Sequence, residues 1–259
     1  MENQIQIRIH GEPGQPTLIY LPGMHGDWTL VSSFRAALNE RVRFVEITYP
    51  RTTEWSLCDY ADAVTNALAS HQINQGWLLA ESFSSQVAWA ILQRAGQNGF
   101  RMEGLSGGFV RHPIMAEVHL ARLLNRAMPL WTVKLFCAVY ARYATLRHRH
   151  APETLACTSE FVKNRTNEAD RQAICHRYDL IIQNDLRAVA RQARLPVFQL
   201  AGFFDPVVPW PFVQPWLKKN CPGFREWKLI WRADHNALGT APRVAAEWVL
   251  RWMGPAKLR

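Results

Sequence analysis

The sequence predicts an α/β protein, a mostly parallel sheet wrapped by helices on both faces and interrupted by a helical insertion. Three observations predict it. Short apolar runs alternate with amphipathic helical patterns from Thr17 to Val110, the rhythm of successive βα units. The runs are apolar throughout rather than at every second position, as in strands buried on both faces. Between Pro113 and about Gln192 the rhythm gives way to helical patterns with no intervening strand, and it returns at Pro196.

Taken in order, Ile5-Gln6-Ile7-Arg8-Ile9 alternates with period two, as a half-buried edge strand does. Thr17 to Leu21 is a buried strand ending in the loop Pro22-Gly23-Met24-His25-Gly26-Asp27. A helix follows with Leu30, Phe34 and Leu38 on one face and Asp27 as its expected N-cap. Val42 to Ile47 is the next strand, closed by Pro50. Ser56 with Asp59 three residues later forms a capping-box start for a helix carrying Leu57, Ala61, Val64 and Leu68. The run Trp77 to Ala80 then passes through Glu81-Ser82-Phe83-Ser84 into a helix with Val87, Ala90, Ile91 and Leu92, expected to stop near Gly96. A fourth strand is expected within Met102 to Val110. Beyond the insertion, Pro196 to Ala201 and Glu226 to Trp231 read as strands. A final helix starts near Thr240 and Pro242, with Val244, Trp248 and Trp252 on one side. This divides the chain into a core of residues 1–112 and 193–259 and a helical cap or lid of residues 113–192.

Composition narrows the function classes. Of 259 residues, 48% are hydrophobic and 20% charged, the balance of a soluble globular protein. The five cysteines form no C-x-x-C pair, so neither a disulfide framework nor a zinc site is expected. No G-x-G-x-x-G is present, which removes the main support for dinucleotide binding. No metal or cofactor is expected. The net charge of +9 would permit binding to nucleic acid, yet the basic residues are mostly dispersed arginines. Their densest cluster, Arg142 to His150, carries no nucleic-acid motif, so no nucleic-acid partner is expected. The apolar stretch from Ala127 to Ala141 is interrupted by Lys134 and is too short to span a bilayer. Met1-Glu2-Asn3-Gln4 lacks the basic start and apolar run of a secretory signal, so the expected location is cytoplasmic.

The chemistry centres on Ser82, which breaks an apolar strand where a helix begins. A sharp strand-to-helix turn lifts such a hydroxyl out of the sheet at a helix N-terminus, where it is exposed for nucleophilic attack. The literal pattern G-x-S-x-G occurs elsewhere, at Gly104-Leu105-Ser106-Gly107-Gly108, but extended chain ending at Pro113 follows Ser106, not a helix. A serine needs a histidine to take its proton and a carboxylate to orient that histidine. In an open parallel sheet only loops at the carboxyl ends of strands can meet Ser82. His235 follows a strand and precedes a helix, with His112 as the next choice, and His25 lies in the glycine loop beside the expected site. Asp205, at the tip of the turn Gly202 to Pro209, is the best-placed acid.

The order Ser82, Asp205, His235 is that of the α/β hydrolases, and the local sequences agree. Ala80-Glu81-Ser82-Phe83-Ser84-Ser85 resembles the G-E-S-F-S-G elbow of some members of that superfamily, with Ala80 and Ser85 where glycines stand. Leu21 to Gly26 resembles their oxyanion loop, Gly202 to Pro209 the segment of the triad acid, and Ala233-Asp234-His235 that of the histidine. The resemblance covers Thr17 to Val110 and Pro196 to Met253 and implies an α/β-hydrolase fold. It further implies a serine hydrolase of small to medium acyl esters or thioesters, with Ser82 as nucleophile, His235 as general base and Asp205 orienting it. The backbone N–H groups of Phe83 and Met24 would hold the oxyanion. Trp131, Leu135 and Phe136 of the insertion would face either an acyl chain or the lid's own core. An acyltransferase would use the same residues, and a catalytically weak protein binding an apolar ligand is the alternative of another class.

Overall fold

The computed structural model describes residues 4–95, 97, 99–132, 135, 138, 139, 142 and 167–254. Seven strands form one sheet: β1 (Gln6–His10), β2 (Thr17–Leu21), β3 (Arg43–Thr48), β4 (Gln75–Ala80), β5 (Arg101–Gly107), β6 (Val197–Gly202) and β7 (Phe224–Ile230). Their spatial order is β1-β3-β2-β4-β5-β6-β7, with β1 antiparallel to β3 and every other pairing parallel. The edge position expected for the alternating first strand is therefore observed.

Side chains alternate between two cores. Ile19, Leu21, Val45, Ile47, Leu78 and Ala80 point to one face, where helices α2 (Leu57–Ser70) and α3 (Ser84–Gln93) cover them. Leu18, Tyr20, Phe44 and Leu79 point to the other, under helices α1 (Ser32–Leu38) and, at the end of the chain, α9 (Pro242–Met253). Burial on both faces is the physical reason the strands read as continuous apolar runs. Ser56 and Asp59 cap α2 reciprocally, as their spacing predicts.

From β2 the chain moves outward to β3 and then returns to the other side of β2 as β4. The helix after β2 packs on one face of the sheet and the helix after β4 on the other. The loops at the carboxyl ends of these two strands therefore diverge around a crevice, the usual ligand position in an open α/β sheet. Between β5 and β6 lie α4 (Met115–Ala127), α5 (Glu168–Gln183) and α6 (Arg187–Gln192). Helices α4 and α5 pack on each other, and α6 rests on α3. After β6 come α7 (Trp210–Asn220) and, past β7, the short helix α8 (Ala237–Thr240). No helix among the described residues is long and apolar enough to cross a membrane.

One sequence expectation is corrected: the N-cap of α1 is Val31, with no side-chain hydrogen bond, and Asp27 Oδ1 instead accepts from Thr29 N at 2.6 Å in the turn before it. Helix α3 ends at Gln93 with Arg94 as its cap, close to the expected stop. In α9 the buried stripe is Ala245, Ala246, Val249 and Trp252, whereas Val244 is exposed. At 100° per residue Val244 lies roughly 130° from the centre of that stripe, outside it. The stripe is anchored by Trp252, whose ring stacks on Phe198 at 5.0 Å and whose indole N–H donates to Glu226 Oε2 at 2.9 Å. Truncating it to alanine should destabilise the fold by about 3–5 kcal/mol. Val244→Ala should stay within about 0.5 kcal/mol of wild type, both changes being read by urea titration.

Candidate active site

Strand β4 and helix α3 are joined at Ser82, whose φ of +52° lies in the left-handed region. A non-glycine residue holds that conformation at a cost of about 1–3 kcal/mol, so its surroundings must fix it. They do so largely through the serines that follow. Ser84 Oγ donates to the Pro22 carbonyl and shares a 2.7 Å hydrogen bond with the Tyr49 hydroxyl, tying the elbow to the loop after β2. Ser85 Oγ accepts the Gly108 N–H at 2.7 Å, tying it to the end of β5. Each of these serines is fully buried. Where the related elbows use glycine for close approach, this chain uses small side chains whose hydroxyls satisfy neighbouring backbone groups. Ser84→Ala leaves the buried Pro22 carbonyl and Tyr49 hydroxyl without that partner, and should lower unfolding stability by about 1–3 kcal/mol in urea.

Asp205 and His235 come from different loops, after β6 and β7. A Cβ at Gly202 would stand 2.1 Å from the Asp234 carbonyl oxygen, so only glycine lets the end of β6 lie this close to the loop carrying the histidine. The result is a 2.9 Å contact of His235 Nδ1 with Asp205 Oδ2 and 3.0 Å with Oδ1. The backbone N–H groups of Val207 and Val208 donate to Asp205 Oδ1 at 2.8 and 2.9 Å, orienting the carboxylate. Ser82, Asp205 and His235 line one cavity. Burial works against the His235 imidazolium, but the hydrogen bond and charge of Asp205, helped by Glu81 and Asp234, outweigh it and raise the His235 pKa above its usual 6.5. Burial likewise opposes the Asp205 carboxylate, and the same imidazole prevails, holding its pKa below the usual value.

The loop after β2 faces the elbow. Among the described residues, neither the Met24 nor the Phe83 N–H donates to a backbone carbonyl. The loop is held from behind by Arg177 of α5, a buried cation 1% exposed. Its guanidinium donates to the Met24 carbonyl at 2.6 Å, the Pro50 carbonyl at 3.0 Å and the Tyr60 hydroxyl at 3.3 Å. It also lies 5.7 Å from the Tyr49 ring centroid and 5.9 Å from that of Phe83. Gly26, at a φ of +69°, makes room for it, since a Cβ there would stand 2.8 Å from both terminal nitrogens. Arg177→Met strands two carbonyls and should cost about 3 kcal/mol of stability, with Arg177→Lys in between, read as shifts in thermal midpoint.

Arg177 and Glu81 are the site-forming residues that sequence reasoning passed over. Glu81 lines the cavity and accepts from the Tyr20 hydroxyl. Its burial raises the carboxyl pKa, against the lowering pull of Tyr20 and His235. An acid between an apolar strand and the serine was its only signal. Nothing marked Arg177 among the arginines of the insertion.

The other singled-out residues are placed as follows. Ser106 sits within β5, paired across from Leu79, and lines the cavity rather than a turn. His112 is structural: its Nε2 donates to the Val207 carbonyl at 2.8 Å and its Nδ1 accepts from Ile114 N at 3.3 Å, so it braces the loop of Asp205. His25 is half-buried and, like Met24, is not among the side chains lining the cavity. Trp131 and Leu135 are exposed and also outside that lining, and Phe136 lies outside the described residues. Among the described residues no group of His, Cys, Asp and Glu is arranged to hold a metal.

Comparison with known proteins bears on the fold. No protein-family model matches the chain. The curated 2-succinyl-6-hydroxy-2,4-cyclohexadiene-1-carboxylate synthase of Klebsiella pneumoniae is 28% identical over 216 residues, covering 76% of this chain and 80% of that protein. Among solved structures, a hydrolase from Pseudomonas aeruginosa PA01 superposes with a TM-score of 0.76 at 16% identity, over 96% of this chain and 94% of that one. The enol-lactonase of Burkholderia xenovorans LB400 gives 0.75 at 17% identity over 96% of each chain. An esterase from Exiguobacterium antarcticum gives 0.76 at 15% identity over 96% and 95%. The fold is that of the α/β hydrolases.

Proposed function

We propose that the protein is a serine hydrolase cleaving a carboxylic ester or thioester of a small to medium acyl group. One observation carries the reading: a serine held in left-handed backbone at a helix N-terminus lines the same cavity as a histidine hydrogen-bonded to a buried aspartate. In this mechanism Ser82 Oγ attacks the substrate carbonyl while His235 Nε2 takes its proton, and Asp205 steadies the imidazolium. The N–H groups of Phe83 and Met24 receive the oxyanion. Collapse expels the alcohol or thiol with the proton from His235. Water, deprotonated by the same imidazole, then attacks the acyl-enzyme and releases the acid. Leu79, Leu200, Val208 and Leu238 give the cavity an apolar wall suited to the acyl chain.

A second reading is favoured by the Klebsiella pneumoniae relative, whose name is that of a synthase of a cyclohexadiene carboxylate rather than an esterase. Under it, Ser82 and His235 act on a carboxylate-bearing substrate without an acyl-enzyme. Stopped-flow turnover of p-nitrophenyl acetate and butyrate separates the two. A burst of p-nitrophenol stoichiometric with enzyme, abolished in Ser82→Ala and His235→Ala, supports the hydrolase. Folded wild type with neither burst nor turnover on any ester sinks it.

The raised His235 pKa fixes the sign of the pH dependence. The base works only when neutral, so kcat/KM should fall as pH drops through a midpoint above 6.5. Asp205→Asn removes the main interaction favouring the imidazolium. Its acid limb should move to lower pH while kcat falls by about 10⁴-fold.

A further inference from the structure

We propose that the floor of the cavity holds a hydroxyl group of the substrate through Gln199 of β6 and Ser106 of β5, so that the preferred ester carries a hydroxylated acyl chain. The inference builds on the hydrolase reading for the reaction, while the binding that it asserts is measured apart from turnover. Both side chains line the same cavity as Ser82 and His235. Gln199 is 1% exposed and Ser106 4%, and neither Gln199 Oε1 nor Ser106 Oγ has a hydrogen-bond partner among the described residues. Polar atoms buried without a partner destabilise a fold, and apolar side chains of similar size would not. Packing does not ask for them here, since their buried neighbours along the two strands, Leu105, Val197, Phe198 and Ala201, are apolar. A pair of such atoms in the cavity that holds the serine and the histidine is the mark of a polar ligand.

Depth and charge select the ligand. Ser106 is paired with Leu79, three residues before Ser82, and Gln199 follows Phe198, the other residue paired with Ser106. At about 3.3 Å per strand residue the two groups lie roughly 7–10 Å along the strands from the elbow, a depth that a medium acyl chain reaches. The described residues that line the cavity include Glu81, Asp205 and His235 but no Lys or Arg. A substrate carboxylate would be buried beside two carboxyls with no such cation to offset it, and an ammonium could not accept the Ser106 hydroxyl proton. A hydroxyl can donate to Gln199 Oε1 or accept from Ser106 Oγ, and it brings no charge.

The test compares esters of nearly equal size, p-nitrophenyl 6-hydroxyhexanoate and p-nitrophenyl heptanoate. Wild-type kcat/KM should favour the hydroxy ester by about tenfold or more, although transfer out of water alone favours heptanoate. That preference should be lost in Gln199→Met and in Ser106→Ala, with thermal midpoints at or above wild type because each change removes an unpartnered buried group. Esters without a hydroxyl gain nothing from either residue. Calorimetric titration of Ser82→Ala with methyl 6-hydroxyhexanoate, methyl heptanoate and methyl 6-aminohexanoate reads the same preference without turnover. A protein that cleaves neither p-nitrophenyl ester yet binds the hydroxy ester most tightly supports this inference and removes the hydrolase reading. Three results overturn the proposal: equal affinity for the hydroxy and heptanoate esters, a preference for the hydroxy ester that persists in both variants, or tighter binding of the amino ester than of the hydroxy ester.

Discussion

The structure turns on a single strained residue. Ser82 holds left-handed backbone between a central strand and a helix buried on nearly every side, and no glycine flanks it within the elbow sequence Ala80 to Ser85. Ser84 and Ser85 make the arrangement stable by hydrogen-bonding the Pro22 carbonyl and the Gly108 N–H. Those two bonds also set the distance from the elbow to the loop after β2 and to the end of β5. The position of the hydroxyl, the shape of the crevice and the entry of α3 into the core are thus settled by one set of contacts.

Around that point the sheet brings together segments that are far apart in sequence. Gly202 permits the close approach of the loops after β6 and β7, and the Asp205–His235 hydrogen bond follows from it. His112 braces the first of these loops from the β5 side. Arg177 reaches from α5 to the carbonyls of Met24 and Pro50, so the segment between β5 and β6 holds the loop after β2 from behind. The buried guanidinium is satisfied by carbonyls, a phenol and ring faces.

The strands were legible in the sequence because burial on both faces leaves continuous apolar runs, and α2 because Ser56 and Asp59 cap it. The edge of the sheet on which Ser82, Asp205 and His235 meet was legible too, since each follows a strand and precedes a helix or turn. Arg177 was not, because its partners are mostly backbone carbonyls, which leave no complementary residue to find. Glu81 was hidden as the spacer of an elbow pattern. Along α9 the sequence puts Val244, Trp248 and Trp252 on one side, but the buried stripe is Ala245, Ala246, Val249 and Trp252, and Val244 falls outside it. Hydrophobicity marks which residues can be buried, while helix phase decides which are.

The central claim is that the Ser82 hydroxyl, and no other in the molecule, is an activated nucleophile. Intact-mass measurement after treatment with a fluorophosphonate, followed by peptide mapping, tests it most directly. The account predicts a single adduct on Ser82, formed slowly or not at all in His235→Ala and unaffected by Ser106→Ala. An adduct on Ser106, or folded protein that takes no label, would contradict it.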